Sequence, residues 1–349
     1  MNDDEVRLNK TGKQVFSVNM GDVTISFGQL GINKITHPVL VKNNTENHAP
    51  NTDWISPYQA GLIIDGVRSG QHYSVSGNHG TDGGGGYATA NTVSTKVTVD
   101  GVAIDEAYML KGKKIVATVV NHVTTKENIN LTTGVRNGTD FIETVTYTFE
   151  HNHMATHVSL KAINDFYINW YMGLQATNAY NTKVFYTHDT AKPLVYTNTG
   201  SQINSGTKAQ SPDMTRASLL NKNDEIMHVY IDKDYGVGYD HIGSNDAIAY
   251  LRASYLKFYF HLVKTSNPLD ILAGQTKSYR GGYIFSKKEG TNAYVSRFVE
   301  NGVKKAYVDF RSAATEQIEY TSIEESVNVT GNGTSLTAST NNAYAKVVI

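Results

Sequence analysis

Alternation of apolar and polar positions with a period of two recurs along most of this chain, and it predicts short β-strands joined by tight turns. In "TKVTVDGVAI", Val97 and Val99 precede Asp100-Gly101, and Val102 and Ile104 follow. An Asp-Gly pair between alternating runs predicts a hairpin, because both turn residues must tolerate positive φ. In "FIETVTYTFE", Phe141, Val145, Tyr147 and Phe149 share one face, while Thr144, Thr146, Thr148 and Glu150 take the other. "MATHVSLKA" reads as the return strand, and "YINWYMGLQ" as a nearly continuous apolar strand buried on both faces.

Ser244 to Lys264 fits two patterns. Ile248, Leu251, Tyr255, Phe258 and Leu262 fit a helix, whereas Leu256, Phe258, Phe260 and Leu262 fit a strand. Aromatic and β-branched content favours a strand over Tyr255 to Val263, with a helical turn before it. "ILAGQTKSYRGGYIFSK" then predicts a glycine turn and another strand, and "AYVSRFVENGVKKAYVDF" a hairpin around Asn301-Gly302. The final stretch, "NVTGNGTSLTASTNNAYAKVVI", is polar and glycine-rich with a short terminal strand. The expected architecture is all-β: a large antiparallel β-sandwich or supersandwich over residues 1–288. A small β appendage over 289–349 would serve packing or homo-oligomerisation.

Composition sharpens this picture. Tyrosine is abundant (22) and proline scarce (6) in 349 residues, as suits a strand-rich chain. Cysteine is absent, which excludes disulfides and thiolate chemistry. A formal net charge of -1 provides no basic field, so no nucleic acid partner is expected. No apolar run is long enough for a membrane-spanning helix, and no membrane insertion is expected. The start, "MNDDEVRLNKTGKQ", reads as a frayed polar end rather than a signal peptide.

Candidate chemistry gathers around "QHYSVSGNHGTDGGGGY", residues 71–87. Its S-G-N-H letters spell a hydrolase family, but that family needs a Gly-Asp-Ser block and a late Asp-x-x-His. Here Gly21-Asp22 precedes Val23, and no histidine has an aspartate three positions earlier. The spelling is coincidental. Gly83 to Gly86 lack the Gly-Lys-Ser/Thr of a phosphate loop. The plain reading is a mobile surface loop; the functional one lets backbone approach a ligand, with Arg68, His72, Asn78, His79 and Asp82 around it.

"HNHMATH" places His151, His153 and His157 at positions of one parity, but a turn at Glu150 to His153 means parity does not carry across it, so a solvated hairpin tip is favoured over a metal site. "DKDYGVGYDH" carries Asp232, Asp234 and Asp240 but lacks the acids of an EF-hand, and a glycine turn is favoured. No metal or other cofactor is expected. Tyr73, Tyr87, Tyr167, Tyr171, Tyr235 and Tyr239 lie near Gly, His, Asn or Asp. Most buried tyrosines are core residues. A Tyr-lined cleft with amides and carboxylates also suits a sugar, whose C–H faces stack on rings and whose hydroxyls need polar partners.

The order "SGNHG", "TVSTKVTVDGVAI", "VVNHVTTKEN", "FIETVTYTFE", "INWYMGLQATN", "LDILAGQTKSYRGGYIF" resembles a β-rich module of tail-fibre or receptor-binding proteins from phages of Gram-positive bacteria. Its closing strands are similar in style to galactose-mutarotase-like supersandwiches. The resemblance spans Gly61 to Lys287. It implies a virion-tail or extracellular-surface setting and a cell-surface polysaccharide or wall glycan as partner. Supersandwich lyases and epimerases further imply roles by likeness. Asn78 and Arg280 would neutralise a substrate carboxylate or oxyanion, His79 or His72 would act as base, and Tyr171 or Tyr235 as acid. Arg68, Asp82, Tyr87, His157, Gln175, Tyr235 and Asp240 would complete the ligand contacts. The chain carries no clear mutarotase-type glutamate motif. Three readings therefore remain: glycan recognition, glycan-active catalysis, and a structural tail protein without a ligand site.

Overall fold

The computed structural model describes residues 5–42, 45–46, 54–55, 58–176, 179–180, 182–186, 194–197, 202–223, 225–252, 257–287 and 293–310. The protein is all-β, and a single 3-10 turn at Lys126–Asn128 is the one helical element among the described residues. The expected boundary near 288, the terminal strand of the appendage and the polar start Met1–Asp4 fall outside them.

One layer is a ten-stranded antiparallel sheet. In spatial order its strands are Val102–Ala103, Ala90–Val99, Ile115–Val123, Phe141–Glu150, His153–Ala162, Thr276–Lys287, Glu225–Ile231, Arg216–Leu220, Lys183–Tyr186 and Leu194–Thr197. Three smaller sheets form the facing layer. One has six strands built on the N-terminal Val6–Lys42 segment. One has five, with Tyr58–Ile64 and Phe166–Tyr171 central, and one has four, including Lys257–Phe260.

Aromatic contacts join the layers. Phe27 meets Tyr147 edge-on at 5.1 Å and Phe149 at 5.8 Å, and Phe141 stacks on Phe166 at 4.3 Å. Tyr171 meets Tyr279 at 5.4 Å and Trp54 meets Tyr283 at 4.8 Å. Such pairs add to area burial because ring edges and faces carry opposite partial charge.

The alternation held where one face is buried. Phe141, Val145, Tyr147 and Phe149 are buried, and the intervening threonines are partly open. Asp100-Gly101 and Asn301-Gly302 both take positive φ (48° and 85°; 53° and 77°), as two-residue hairpin turns require. The 293–310 segment forms its hairpin and lies against the end of the large sheet, where Val299 N–H donates to His151 O at 2.9 Å.

Two expectations are corrected. Among the described residues no helical turn precedes the Phe258 strand: Ala249–Arg252 is itself a strand, paired antiparallel with Lys257–Phe260. The strand begins at Lys257 among the described residues, since Tyr255 and Leu256 lie outside them. "YINWYMGLQ" is not one strand either. Phe166–Tyr171 ends before Gly173, whose φ of 66° bends the chain so that Gln175–Ala176 pairs in a different sheet.

A buried polar cluster centred on Glu143 interrupts the apolar layer. Glu143 is buried on the inward face of its strand and accepts hydrogen bonds from Tyr58 Oη (2.8 Å), Ser76 Oγ (2.9 Å) and Asn121 Nδ2 (2.9 Å). Burial raises its carboxyl pKa, and the three donors pull against that. Glu143→Leu strands three buried donors and should cost on the order of 3 kcal/mol, while Glu143→Gln should cost roughly a third of that. Urea unfolding monitored by tryptophan fluorescence measures both, and equal losses would reject the account.

Candidate functional site

The outward face of the large sheet carries a depression of about 350 Å³, and its position follows from strand register. Antiparallel pairing places Thr148, Ala155, Gly282 and Tyr230 in one row across four strands. The two middle members project a methyl and nothing, so the row sinks between its neighbours. Gly282 is required there, because a Cβ would stand 2.6 Å from Met154 O and 2.8 Å from Tyr230 Oη. The adjacent row, Thr146, His157 and Arg280, forms one wall. Glu150, His153 and the hairpin turn at Glu300-Asn301 form the opposite wall.

Arg280 organises the first wall. Its Nε and Nη2 donate to Asp232 Oδ2 at 2.8 and 2.7 Å, and its guanidinium lies 4.3 Å from the Tyr235 ring centroid. His157 Nε2 is 3.0 Å from the Tyr235 hydroxyl. Burial, and then the charge of Arg280, lower the His157 pKa, so this imidazole is a neutral hydrogen-bonding group at pH 7. On the other wall, Glu150 accepts the backbone N–H groups of Asn301 (2.7 Å) and Gly302 (2.8 Å), which holds the hairpin turn against the sheet. Glu300 pairs with Lys305. His153 Nδ1 lies 3.0 Å from Val299 O and therefore carries the proton, so its Nε2 accepts from Tyr230 Oη at 2.8 Å.

Of the expected site residues, His157, Tyr235 and Arg280 come together here. The convergence of Asn78, His79, Tyr171 and Arg280 on one cleft does not occur. Ser76 to His79 is pinned rather than mobile: Asn33 Nδ2 donates to Gly77 O (2.9 Å) and His79 O (2.8 Å), and Thr89 Oγ1 also donates to His79 O. Burial and the charge of Lys257 push the His79 pKa down to about 4. Tyr171 is buried between the layers, 2.8 Å from the Tyr279 hydroxyl, and Gln175 is buried with its Oε1 accepting from Lys257 Nζ at 3.2 Å.

Arg68 pairs with Asp270 at 2.7 Å and lies 5.6 Å over Tyr167, whose hydroxyl is 3.4 Å from His72 Nδ1. This is a separate surface cluster. Asp82 is exposed on the Gly-rich hairpin, 3.5 Å from Lys126 Nζ, and Tyr87 donates to Thr132 O at 2.9 Å. Asp240 is exposed, and its carbonyl accepts from Asn267. Among the described residues no three His, Asp or Glu side chains gather closely enough to hold a metal ion.

Sequence reasoning missed Asp232, Tyr230, Thr146, Thr148, Glu150 and Glu300 as site residues. The outward parity of Thr146, Thr148 and Glu150 was a usable signal. The pairing that places Arg280 beside His157 had none, since the two strands are distant in sequence.

No family model matches the chain, and no curated protein matches it. Solved structures similar to it include the GH36 α-galactosidase AgaB from Geobacillus stearothermophilus (9% identity, TM-score 0.47, 79% of this chain and 40% of that one). The α-galactosidase from Lactobacillus brevis is similar at 7% identity and a TM-score of 0.45, over 79% of this chain and 40% of that one. The α-N-acetylgalactosaminidase NagBb from Bifidobacterium bifidum is similar at 10% identity and a TM-score of 0.36, over 83% of this chain and 36% of that one. This chain spans about 40% of the length of the first of these.

The buried histidines make stability depend on pH. Burial holds His153 down to about 4 and His261 down to about 3, against an ordinary 6.5. Between these values the unfolded chain binds more protons than the folded one. Stability is therefore intact above pH 6.5 and falls as pH drops toward 4. His153 faces Tyr230, Glu300 and Lys305, and its share of the loss is on the order of 3 kcal/mol. His153→Gln should flatten the decline in melting temperature between pH 7 and 4.5; an unchanged decline would reject this role.

Proposed function

We propose that this chain is a carbohydrate-binding domain that holds a saccharide against the outward face of its ten-stranded sheet. The observation that carries this reading is the depression floored by Ala155 and walled by His157, Arg280 and two threonines, with Tyr235 packed against His157 and Arg280. Saccharide recognition calls for shallow apolar ground beside groups that both donate and accept. Thr146, Thr148, Tyr230 and His157 offer such groups, and Arg280 keeps donors beyond those given to Asp232.

Binding is favoured over hydrolysis by the state of the carboxylates. Glycoside hydrolysis canonically needs an acid and a base or nucleophile flanking one bond. Here Asp232 is engaged by Arg280, Glu150 by the hairpin turn and Glu300 by Lys305. A second reading rests on the 3.0 Å contact between His157 and Tyr235: a lyase- or epimerase-like site with a neutral imidazole as base and a phenol as acid. Incubation with uronate polysaccharides and absorbance for unsaturated products tests it, and no turnover across the panel rejects it. The proposed setting is a phage tail-fibre or receptor-binding protein that meets a host wall glycan. It is supported by the motif series from Gly61 to Lys287.

Titration calorimetry with hits from a glycan array tests the binding reading. Tyr235→Ala and Arg280→Ala should each weaken binding about tenfold, roughly 1.4 kcal/mol, with circular dichroism unchanged. His72→Ala, in the separate Tyr167 cluster, should leave affinity unaltered. Failure of the array to yield any glycan, or equal loss in all three variants, rejects the assignment.

A further inference from the structure

The charge arrangement around Arg280 bears on which saccharides the depression accepts; the argument rests on the carbohydrate-binding reading above. An exposed arginine in a glycan site would ordinarily suggest a uronate or phosphate partner, because a guanidinium matches a carboxylate bidentately. In this site that capacity is already taken. Asp232 Oδ2 receives two N–H groups of Arg280, at 2.8 and 2.7 Å, and Asp232 N–H donates back to Arg280 O at 2.9 Å. The pair is thus anchored through side chain and backbone together. Tyr235 lies against the guanidinium face.

The remaining lining charges have the opposite sign. Glu150 and Glu300 stand on the far wall, so with Asp232 beside Arg280 the depression is lined by three carboxylates and one guanidinium. Lys305 pairs with Glu300, while Glu150 is held by the backbone of Asn301 and Gly302. Among the described residues no cation pairs with Glu150. An acidic sugar entering here would approach these carboxylates without an unpaired cation to receive it. Like charges brought together in a partly desolvated site repel strongly.

We infer that the depression takes an uncharged saccharide and rejects acidic glycans, and that Asp232 sets this preference by neutralising Arg280. Uncharged sugar hydroxyls need only the residual Arg280 donors, the Thr146 and Thr148 hydroxyls and the His157–Tyr235 pair. Asp232 acts through Arg280 and is in this sense a positioning residue.

The test uses matched oligosaccharides that differ only in a carboxylate and its methyl ester, together with neutral oligosaccharides, titrated into the full chain at pH 7 and moderate salt. The wild-type protein should bind the esters at least about tenfold more tightly than the acids. Asp232→Asn keeps the shape and a hydrogen-bonding partner for Arg280 but frees its charge, so the ratio should shrink toward one or reverse. Thr148→Val should weaken ester and acid alike and leave the ratio unchanged, as a contact without charge would. Acids bound as tightly as esters by the wild type, or an unaltered ratio in Asp232→Asn, overturns the inference while the carbohydrate reading stands. If no ester, acid or neutral oligosaccharide binds, that reading falls and this inference falls with it.

Discussion

The antiparallel pairing of His153–Ala162 with Thr276–Lys287 is the contact on which the architecture turns. It joins the meander of strands from Ala90 to Ala162 to the later strands Arg216–Leu220 and Glu225–Ile231 and completes one continuous sheet. Its register also decides the chemistry of both faces. Inward, Val158 lies opposite Tyr279, and Tyr279 reaches Tyr171 in the facing layer. Outward, His157 lies opposite Arg280 and Ala155 opposite Gly282. A slip of one residue would exchange these sets and bury a guanidinium.

The two glycines of "YRGGY" show how tightly this pairing constrains the chain. A Cβ on Gly281 would stand 2.3 Å from Tyr230 O and 2.7 Å from Leu174 Cδ1, on the side of the core. A Cβ on Gly282 would meet Met154 O and Tyr230 Oη, on the side of the depression. The first glycine permits close packing of the layers. The second leaves the hollow in the open face. Packing and ligand ground thus depend on adjacent residues of one strand.

Polar groups divide by layer in the same way. The inward cluster of Glu143, Tyr58, Ser76 and Asn121 ties the Ser76–His79 loop to the large sheet and leaves that loop a structural clamp. The outward groups around Arg280 are partly open to solvent and paired with one another. At the sheet end, His153 and Glu150 fasten the Ala293–Phe310 hairpin, which in turn supplies one wall of the depression. The candidate site is therefore assembled from the 141–162 hairpin, the strands Glu225–Ile231 and Thr276–Lys287, and the turn of the 293–310 hairpin, which meet only in the folded molecule.

Local pattern was enough for the all-β class, for the Asp100-Gly101 and Asn301-Gly302 hairpins, and for the inward and outward faces of Phe141–Glu150. These are set by the two-residue period of a half-buried strand and by the φ demands of turn residues, which neighbouring positions express directly. The same local signals overstated the Gly-rich loop. Asn78 and His79 looked available because glycines surround them, yet Asn33 and Thr89, remote in sequence, hold them in place. Tyr171 and Gln175 looked like cleft residues, yet they lie between layers. What the tertiary structure alone decided is which strands pair. That choice rests on long-range burial and register, to which no short segment commits by itself, and it is what brought His157, Tyr235, Asp232 and Arg280 to one place.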